Sequence, residues 1–234
     1  MKFELNKSGF EIIENVFSNE EVNEIIELLE PQEINKEFGI REFLTSRPQL
    51  SEKVFSKRLL AIVQKISPGC QKAIKSIYFD KPPNANWVVN WHQDLTINLK
   101  NRLEFENFKN WRENSQRIVV QPPIEILENI FTIRIHLDDC SKENGALRVI
   151  ENSHKKGVIE IKEWMLNKNG IERICEVKRG GILIMKPLLL HSSKRTENQN
   201  NRRVIHIEFT DKELPSGLFW KEILELKSSN SYVV

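Results

Sequence analysis

The chain has 234 residues, with 35 Lys+Arg against 33 Asp+Glu and a formal net charge of +2. That length suits a single domain with a substantial core, and a balanced charge without a basic block excludes the electrostatic footprint of a dedicated nucleic-acid binder. The apolar share, 39%, lies above that of disordered chains, and it is lopsided: 27 Ile and 14 Val against 4 Ala predict a core made mainly of sheet.

The first residues, Met1 to Lys7, place acidic and polar side chains where a signal peptide needs an apolar stretch. Ser18 followed by Glu21 is a capping-box pattern, and Val22, Ile25, Ile26 and Leu29 then recur on one helical face before Pro31. A second helical stripe, Leu59, Ile62, Val63 and Ile66, stands between Ser51 and the breaker Pro68-Gly69. A helical layer over about residues 18–70 is therefore expected.

From about residue 73 the period shifts toward two. In residues 131–138 Phe131, Ile133, Ile135 and Leu137 alternate with Thr132, Arg134, His136 and Asp138, and Ile205, Ile207 and Phe209 alternate with His206 and Glu208 in the same way. Pro82-Pro83, Pro122-Pro123, Asn144-Gly145, Gly180-Gly181 and Pro215 punctuate these strands. Residues 100–123 interrupt them with a polar stretch carrying Phe105, Phe108 and Trp111, which reads as a lid-like insertion. The most apolar run, residues 182–190, is broken by Lys186 and Pro187 and is too short to span a bilayer. Cys70, Cys140 and Cys175 show no paired spacing and read as reduced thiols in a cytoplasmic protein. Helices followed by many strands predict an α+β, mainly β fold: one domain over residues 1–234, with a double-sheet barrel or jelly roll at about 73–210 buttressed by N-terminal helices.

The chemistry gathers around His92-Gln93-Asp94. In extended chain, positions i and i+2 share a face, so His92 and Asp94 would point at one spot. An imidazole and a carboxylate with one distant imidazole make the facial triad that holds Fe(II) and leaves positions open. The tripeptide alone is a weak signal. The distant ligand is placed at His191, where the apolar run gives way to polar residues. Arg202 enters the next strand eleven residues on; a guanidinium captures carboxylates in bidentate fashion, although taken alone Arg202 and Arg203 also read as solvated charges at a strand start.

These residues occur within Phe79-Asp-Lys-Pro-Pro83, Trp91-His-Gln-Asp94, Arg134-Ile-His-Leu-Asp-Asp139, Asn144-Gly-Ala-Leu-Arg-Val-Ile150, Asn152-Ser-His-Lys155 and Pro187-Leu-Leu-Leu-His191. In that order they resemble the phytanoyl-CoA dioxygenase (PhyH-like) family of Fe(II)- and 2-oxoglutarate-dependent oxygenases, over about residues 70–210, and Gly9-Phe10-Glu-Ile-Ile13 is similar to the family's usual start. The resemblance implies a double-stranded β-helix (jelly roll, cupin-like). It implies His92, Asp94 and His191 as iron ligands, and Arg202 with Ser193 at the distal carboxylate of 2-oxoglutarate. Arg134 would contact the same cosubstrate, and O2 would be the oxidant. A register slip of one residue would put Arg203 in place of Arg202; the parity of Ile205, Ile207 and Phe209 favours Arg202. Related halogenases carry a small residue where Asp94 stands, so hydroxylation of a small molecule is the expectation.

His154 reads as a turn residue, His136 as a hydrogen-bonded interior group or one behind the ligands, and His206 as structural or near the cosubstrate. Most of the tryptophans read as core or rim, with Trp91, next to His92, facing the other way. Arg41 and Arg47 are candidates for an acidic substrate, and no basic cluster suited to a nucleotide phosphate is visible. Two rival readings remain: a cupin-like metal enzyme that uses the triad without 2-oxoglutarate, and a non-catalytic binding protein on the same scaffold.

Overall fold

Antiparallel sheet dominates the computed structural model, which describes residues 4–29, 39–81, 88–167 and 170–226. Pro31, Pro82, Pro83 and Trp87 lie outside the described residues.

The helical layer forms as its caps dictate. Helix α1 (Leu5–Ser8) is a single turn, and α2 (Asn19–Glu27) opens with the complete capping box: Glu21 N–H donates to Ser18 Oγ at 3.2 Å and Ser18 N–H to Glu21 Oε2 at 2.7 Å. The second stripe forms α4 (Lys57–Ile66), capped by Ser56, and a separate short helix, α3 (Pro48–Val54), precedes it. Two strands sit among these helices, which an all-helical reading of this part does not anticipate. Strand β1 (Phe10–Ile13) and strand β2 (Gly39–Arg41) are short, and each forms on the edge of a strand elsewhere in the chain.

The large sheet is built on β3 (Lys72–Asp80), β8 (Phe131–His136), β11 (Ile182–Met185) and β13 (Arg203–Thr210), with β14 (Leu224–Glu225) at one edge. Its order is β1-β11-β8-β13-β3-β14, with β2 also pairing β3. The smaller sheet runs β10-β9-β12-β4, from Glu172–Cys175, Leu147–Ile150, His191–Ser193 and Val89–His92 respectively. Residues 100–123, expected as a lid-like insertion, contribute to a third sheet in which β7 (Ile118–Gln121) pairs with β5 (Ile97–Leu99) and β6 (Lys109–Glu113). Among the described residues no sheet is continuous with another, so the jelly roll is two facing sheets and not the closed barrel that was one expectation.

Parity decides what each face meets. Ile133, Ile135, Ile205, Ile207 and Phe209 pack in one core with Val22 and Ile25 of α2, Leu50 and Val54 of α3, and Leu59 and Val63 of α4. Register places Ile205 opposite Ile135 and Ile207 opposite Ile133, so the β-branched ladder faces the helices. The alternate residues, Arg134, His206 and Glu208, turn toward the space between the sheets. A second core joins the third sheet to the body through Ile74, Leu99, Phe108 and Trp220, with Phe105 and Trp111 packed against it. Short α5 (Ile124–Glu128) adds Leu127 to that core, whereas α6 (Ile161–Asn167) lies by the smaller sheet, its Trp164 ring 5.2 Å from Trp91. No helix among the described residues is long and apolar enough to cross a membrane.

Candidate metal centre

Strand β4 ends at His92 and strand β12 begins at His191, and the antiparallel register sets the two directly opposite, with ring centroids 4.1 Å apart. Asp94 completes the cluster: its carboxylate lies 3.9 Å from His92 Nε2 and 3.7 Å from His191 Nε2, and the three ligand atoms fall within 4.8 Å of one another. The pleat does not place Asp94, because β4 stops before it. The loop is fastened instead. Asp94 N–H donates to the Pro187 carbonyl at 2.9 Å, and buried Gln93 donates to the Leu188 and Gly157 carbonyls at 2.6 and 2.9 Å while accepting from Ile159 N–H. Gln93 thus ties the loop carrying two ligands to the segment leading into the third.

Both imidazoles are oriented from behind. Nδ1 of His92 meets the Asn90 carbonyl and Nδ1 of His191 the Leu189 carbonyl, each at 2.8 Å. A carbonyl only accepts, so each Nδ1 carries the proton and each Nε2 lone pair points at Asp94 and the shared space. Burial moves His191 down to about 4, which keeps it neutral and able to ligate. Burial alone would raise Asp94, but the surrounding His191, His206, His92 and Lys75 outweigh it and hold the carboxyl below its ordinary value. Two imidazoles and one carboxylate on one side of a point are the donor set of a facial Fe(II) site.

The cluster opens into a cavity of about 440 Å³ that Arg202, Ser193 and Arg134 also line. The structure separates the two adjacent arginines. Arg203 turns away, clasping Asp138 through Nε and Nη2 at 2.9 and 2.7 Å, whereas Arg202 is buried, lines the cavity and donates to the Gly145 carbonyl. Gly145 sits at φ +77°, where a Cβ would lie 2.6 Å from the Lys194 carbonyl oxygen, so the Asn144-Gly145 turn needs glycine to present that carbonyl. Arg134 is pressed down to about 10 by burial and by Arg202, remains a cation, and its buried Nε has no hydrogen-bond partner among the described residues. An orphaned donor beside a second guanidinium is what a bound carboxylate satisfies.

Several contributors escaped the sequence reading. Lys81 is buried against Arg202 and donates to the Lys194 carbonyl at 3.2 Å. Lys75 pairs with Glu208 at 2.7 Å, and Arg134 reaches His206 Nδ1 at 3.1 Å, both across the strands flanking β13. The alternation showed Glu208 and His206 on the polar face; only strand pairing shows their partners. His206, read as structural or near the cosubstrate, lines the cavity. His136 is buried, but neither ring nitrogen has a hydrogen-bond partner among the described residues, so a hydrogen-bonded interior role does not hold. His154 stands apart from the triad, its Nε2 at the Asn6 carbonyl, while neighbouring Ser153 accepts from Leu190 N–H at 2.8 Å and steadies the approach to His191. Arg41 lines the cavity, but Arg47 stacks over Phe43 instead. Folding also brings Arg41 of β2, Arg112 of β6 and Arg117, far apart or unremarkable in sequence, into the wall of one cavity.

Residues 5–204 match the family described as phytanoyl-CoA dioxygenase (PhyH). No curated protein matches the sequence. Among solved structures the fold is similar to the non-heme alpha-ketoglutarate-dependent carbocyclase SnoK from nogalamycin biosynthesis, with TM-score 0.67 and 15% identity over 88% of this chain and 81% of that one. It is also similar to AviO1 from Streptomyces viridochromogenes Tue57, at 0.66 and 16% over 91% and 94% of the two chains. HygX from Streptomyces hygroscopicus, crystallised with nickel and 2-oxoglutarate bound, matches at 0.61 and 14% over 88% and 84%.

Proposed function

The chain belongs to the phytanoyl-CoA dioxygenase (PhyH) family, and from that premise we propose that it is an Fe(II)- and 2-oxoglutarate-dependent oxygenase that hydroxylates a C–H bond of a small molecule, releasing succinate and CO2. One observation carries the reading: His92, Asp94 and His191 converge in the same cavity as two cations, buried Arg202 and half-buried Arg134. A metal enzyme without an anionic cosubstrate has no need of two guanidinium groups beside its ligands.

The donor set fits Fe(II), which together with 2-oxoglutarate and O2 supplies the oxidising chemistry when bound. His92, Asp94 and His191 would hold the ion. Arg202 pairs with the distal carboxylate of 2-oxoglutarate, Ser193 lends its hydroxyl nearby, and Lys81 adds positive charge from behind. Arg134 offers its unpartnered Nε to the same molecule. The third sheet supplies Arg112, Arg117 and Val119 to the cavity wall and helps exclude water from it. Asp94 supports hydroxylation, since related halogenases carry a small residue where this carboxylate stands.

The test is product mass against succinate. Purified protein with Fe(II), 2-oxoglutarate and air, offered a panel of metabolites, should yield one succinate per product heavier by one oxygen. A product of unchanged mass or lighter by two hydrogens contradicts hydroxylation, and the absence of succinate contradicts the oxygenase reading altogether.

A further inference from the structure

The cavity carries more positive charge than metal and cosubstrate consume. Seven basic side chains line it against three carboxylates, Asp94, Glu113 and Glu208. Lys75 is neutralised by Glu208, Arg134 and Arg202 face the cosubstrate end, and Lys81 lies beside Arg202. Arg112 and Arg117 remain, and among the described residues neither guanidinium has a hydrogen bond or ion pair. Arg41 adds charge from β2, and exposed Glu113 is the one carboxylate on that part of the wall.

This arrangement is held in place. Arg112 and Arg117 flank the turn of the β6–β7 hairpin, where Asn114 Oδ1 accepts from Gln116 N–H and Arg117 N–H at 3.0 Å each and Asn114 N–H donates to the Arg117 carbonyl at 3.1 Å. Arg117, Arg41, Lys75, Asn98 and Asn114 also line an adjoining depression, so the wall continues outward from the main cavity. The carboxylates there are engaged elsewhere: Glu222 accepts from Thr45 Oγ1 and Ser76 N–H, and Glu42 lies 3.8 Å from Lys221. Arg112 and Arg117, on one wall and without an ion-pair partner among the described residues, repel one another, and an anion relieves that repulsion while filling two guanidinium forks.

We propose that the substrate carries a terminal anionic group, a phosphate monoester or a carboxylate, which Arg112 and Arg117 bind with support from Arg41 while the rest of the molecule extends toward the triad. This rests on reading the cavity as an oxygenase site. The anionic end sets which compounds enter, and the hairpin is the specificity element.

Benzyl phosphate, phenylacetate and neutral benzyl alcohol serve as probes, each titrated calorimetrically into anaerobic protein loaded with Fe(II) and saturating 2-oxoglutarate. At least one anion should bind without displacing 2-oxoglutarate, with benzyl alcohol at least tenfold weaker, and the better anion identifies phosphate or carboxylate as the substrate group. Arg112→Ala and Arg117→Ala should each weaken that anion at least tenfold, with Arg117→Lys recovering part of the loss; unchanged 2-oxoglutarate binding reports intact folding. Equal binding of the alcohol, displacement of 2-oxoglutarate by the anion, or wild-type affinity in both alanine variants overturns the proposal. Arg117-dependent anion binding in protein that fails to bind 2-oxoglutarate upholds the anion site and overturns the oxygenase reading alone.

Discussion

Arg202 and Arg203 are neighbours in sequence with opposite surroundings. Arg202 is buried against the Gly145 carbonyl inside the cavity, and Arg203 is paired with Asp138 outside it. Replacing Arg202 with Ala should weaken 2-oxoglutarate binding about tenfold to a hundredfold, the worth of a charge-assisted hydrogen-bonded pair. Arg203→Ala should leave that affinity near wild type and lower folding stability by about 1–3 kcal/mol in denaturant melts. Reversed outcomes would restore the alternative register. A triad enzyme that dispenses with 2-oxoglutarate would respond to neither change in cosubstrate affinity. Lys81 offers a pH signature. Burial, and then Arg202, bring its ammonium from 10.5 down to about 8. A protonated Lys81 attracts the cosubstrate, so 2-oxoglutarate affinity should fall as pH rises through about 8, and Lys81→Met should flatten the slope. Stability of the metal-free protein runs the other way. Between about 8 and 10.5 the unfolded chain binds the proton that the native state has released, so native stability gains with pH there. At this scale the sequence singled out residues that the fold then brings together, because His, Asp and Arg carry their chemistry in their identity. It missed Lys81, a lysine in a proline-flanked segment whose burial depends on chain elements more than a hundred residues away.

The elements explain how weakly structured pieces hold an exact geometry. His92 and His191 face each other through strand register, which period-two alternation in the sequence anticipates only in part. Asp94 belongs to no strand, and its position depends on Gln93, which bridges three backbone segments. Gln93→Ala should therefore lower Fe(II) affinity by about tenfold, the usual cost of losing the partners that orient a metal site. Metal content after dialysis, read against far-UV circular dichroism to confirm folding, measures this; full iron retention would show that Asp94 holds its place unaided. Residues 131–136 and 203–210 were legible as strands because Ile and Phe alternate with polar residues over their length. Strands β1 and β2 were not, since three or four residues carry too little pattern and form on the edges that β11 and β3 provide. Phe105, Phe108 and Trp111 signalled an insertion, but their side chains turn inward to anchor a small sheet, leaving Arg112 and Arg117 to face the cavity.

Across the whole molecule, one division of labour recurs. The Ile-rich face of the large sheet packs on the helices and stabilises the fold, so the opposite face is free to carry Arg134, His206 and Glu208 without an apolar duty. That accounts for the abundance of Ile and Val in a chain whose cavity gathers so many charged side chains. A net charge of +2 conceals a cavity in which cations outnumber carboxylates more than two to one, because opposite charges elsewhere on the surface cancel the total. Composition sums over the molecule, whereas function depends on where the charges meet. The central claim is that triad and cavity arginines act on one ligand pair, and anaerobic spectroscopy tests it most directly. Wild-type protein given Fe(II) and then 2-oxoglutarate should develop a visible charge-transfer band, which Asp94→Ala loses and which Arg202→Ala recovers only at much higher 2-oxoglutarate. A wild-type protein that binds Fe(II) yet shows no band at saturating 2-oxoglutarate would contradict the account.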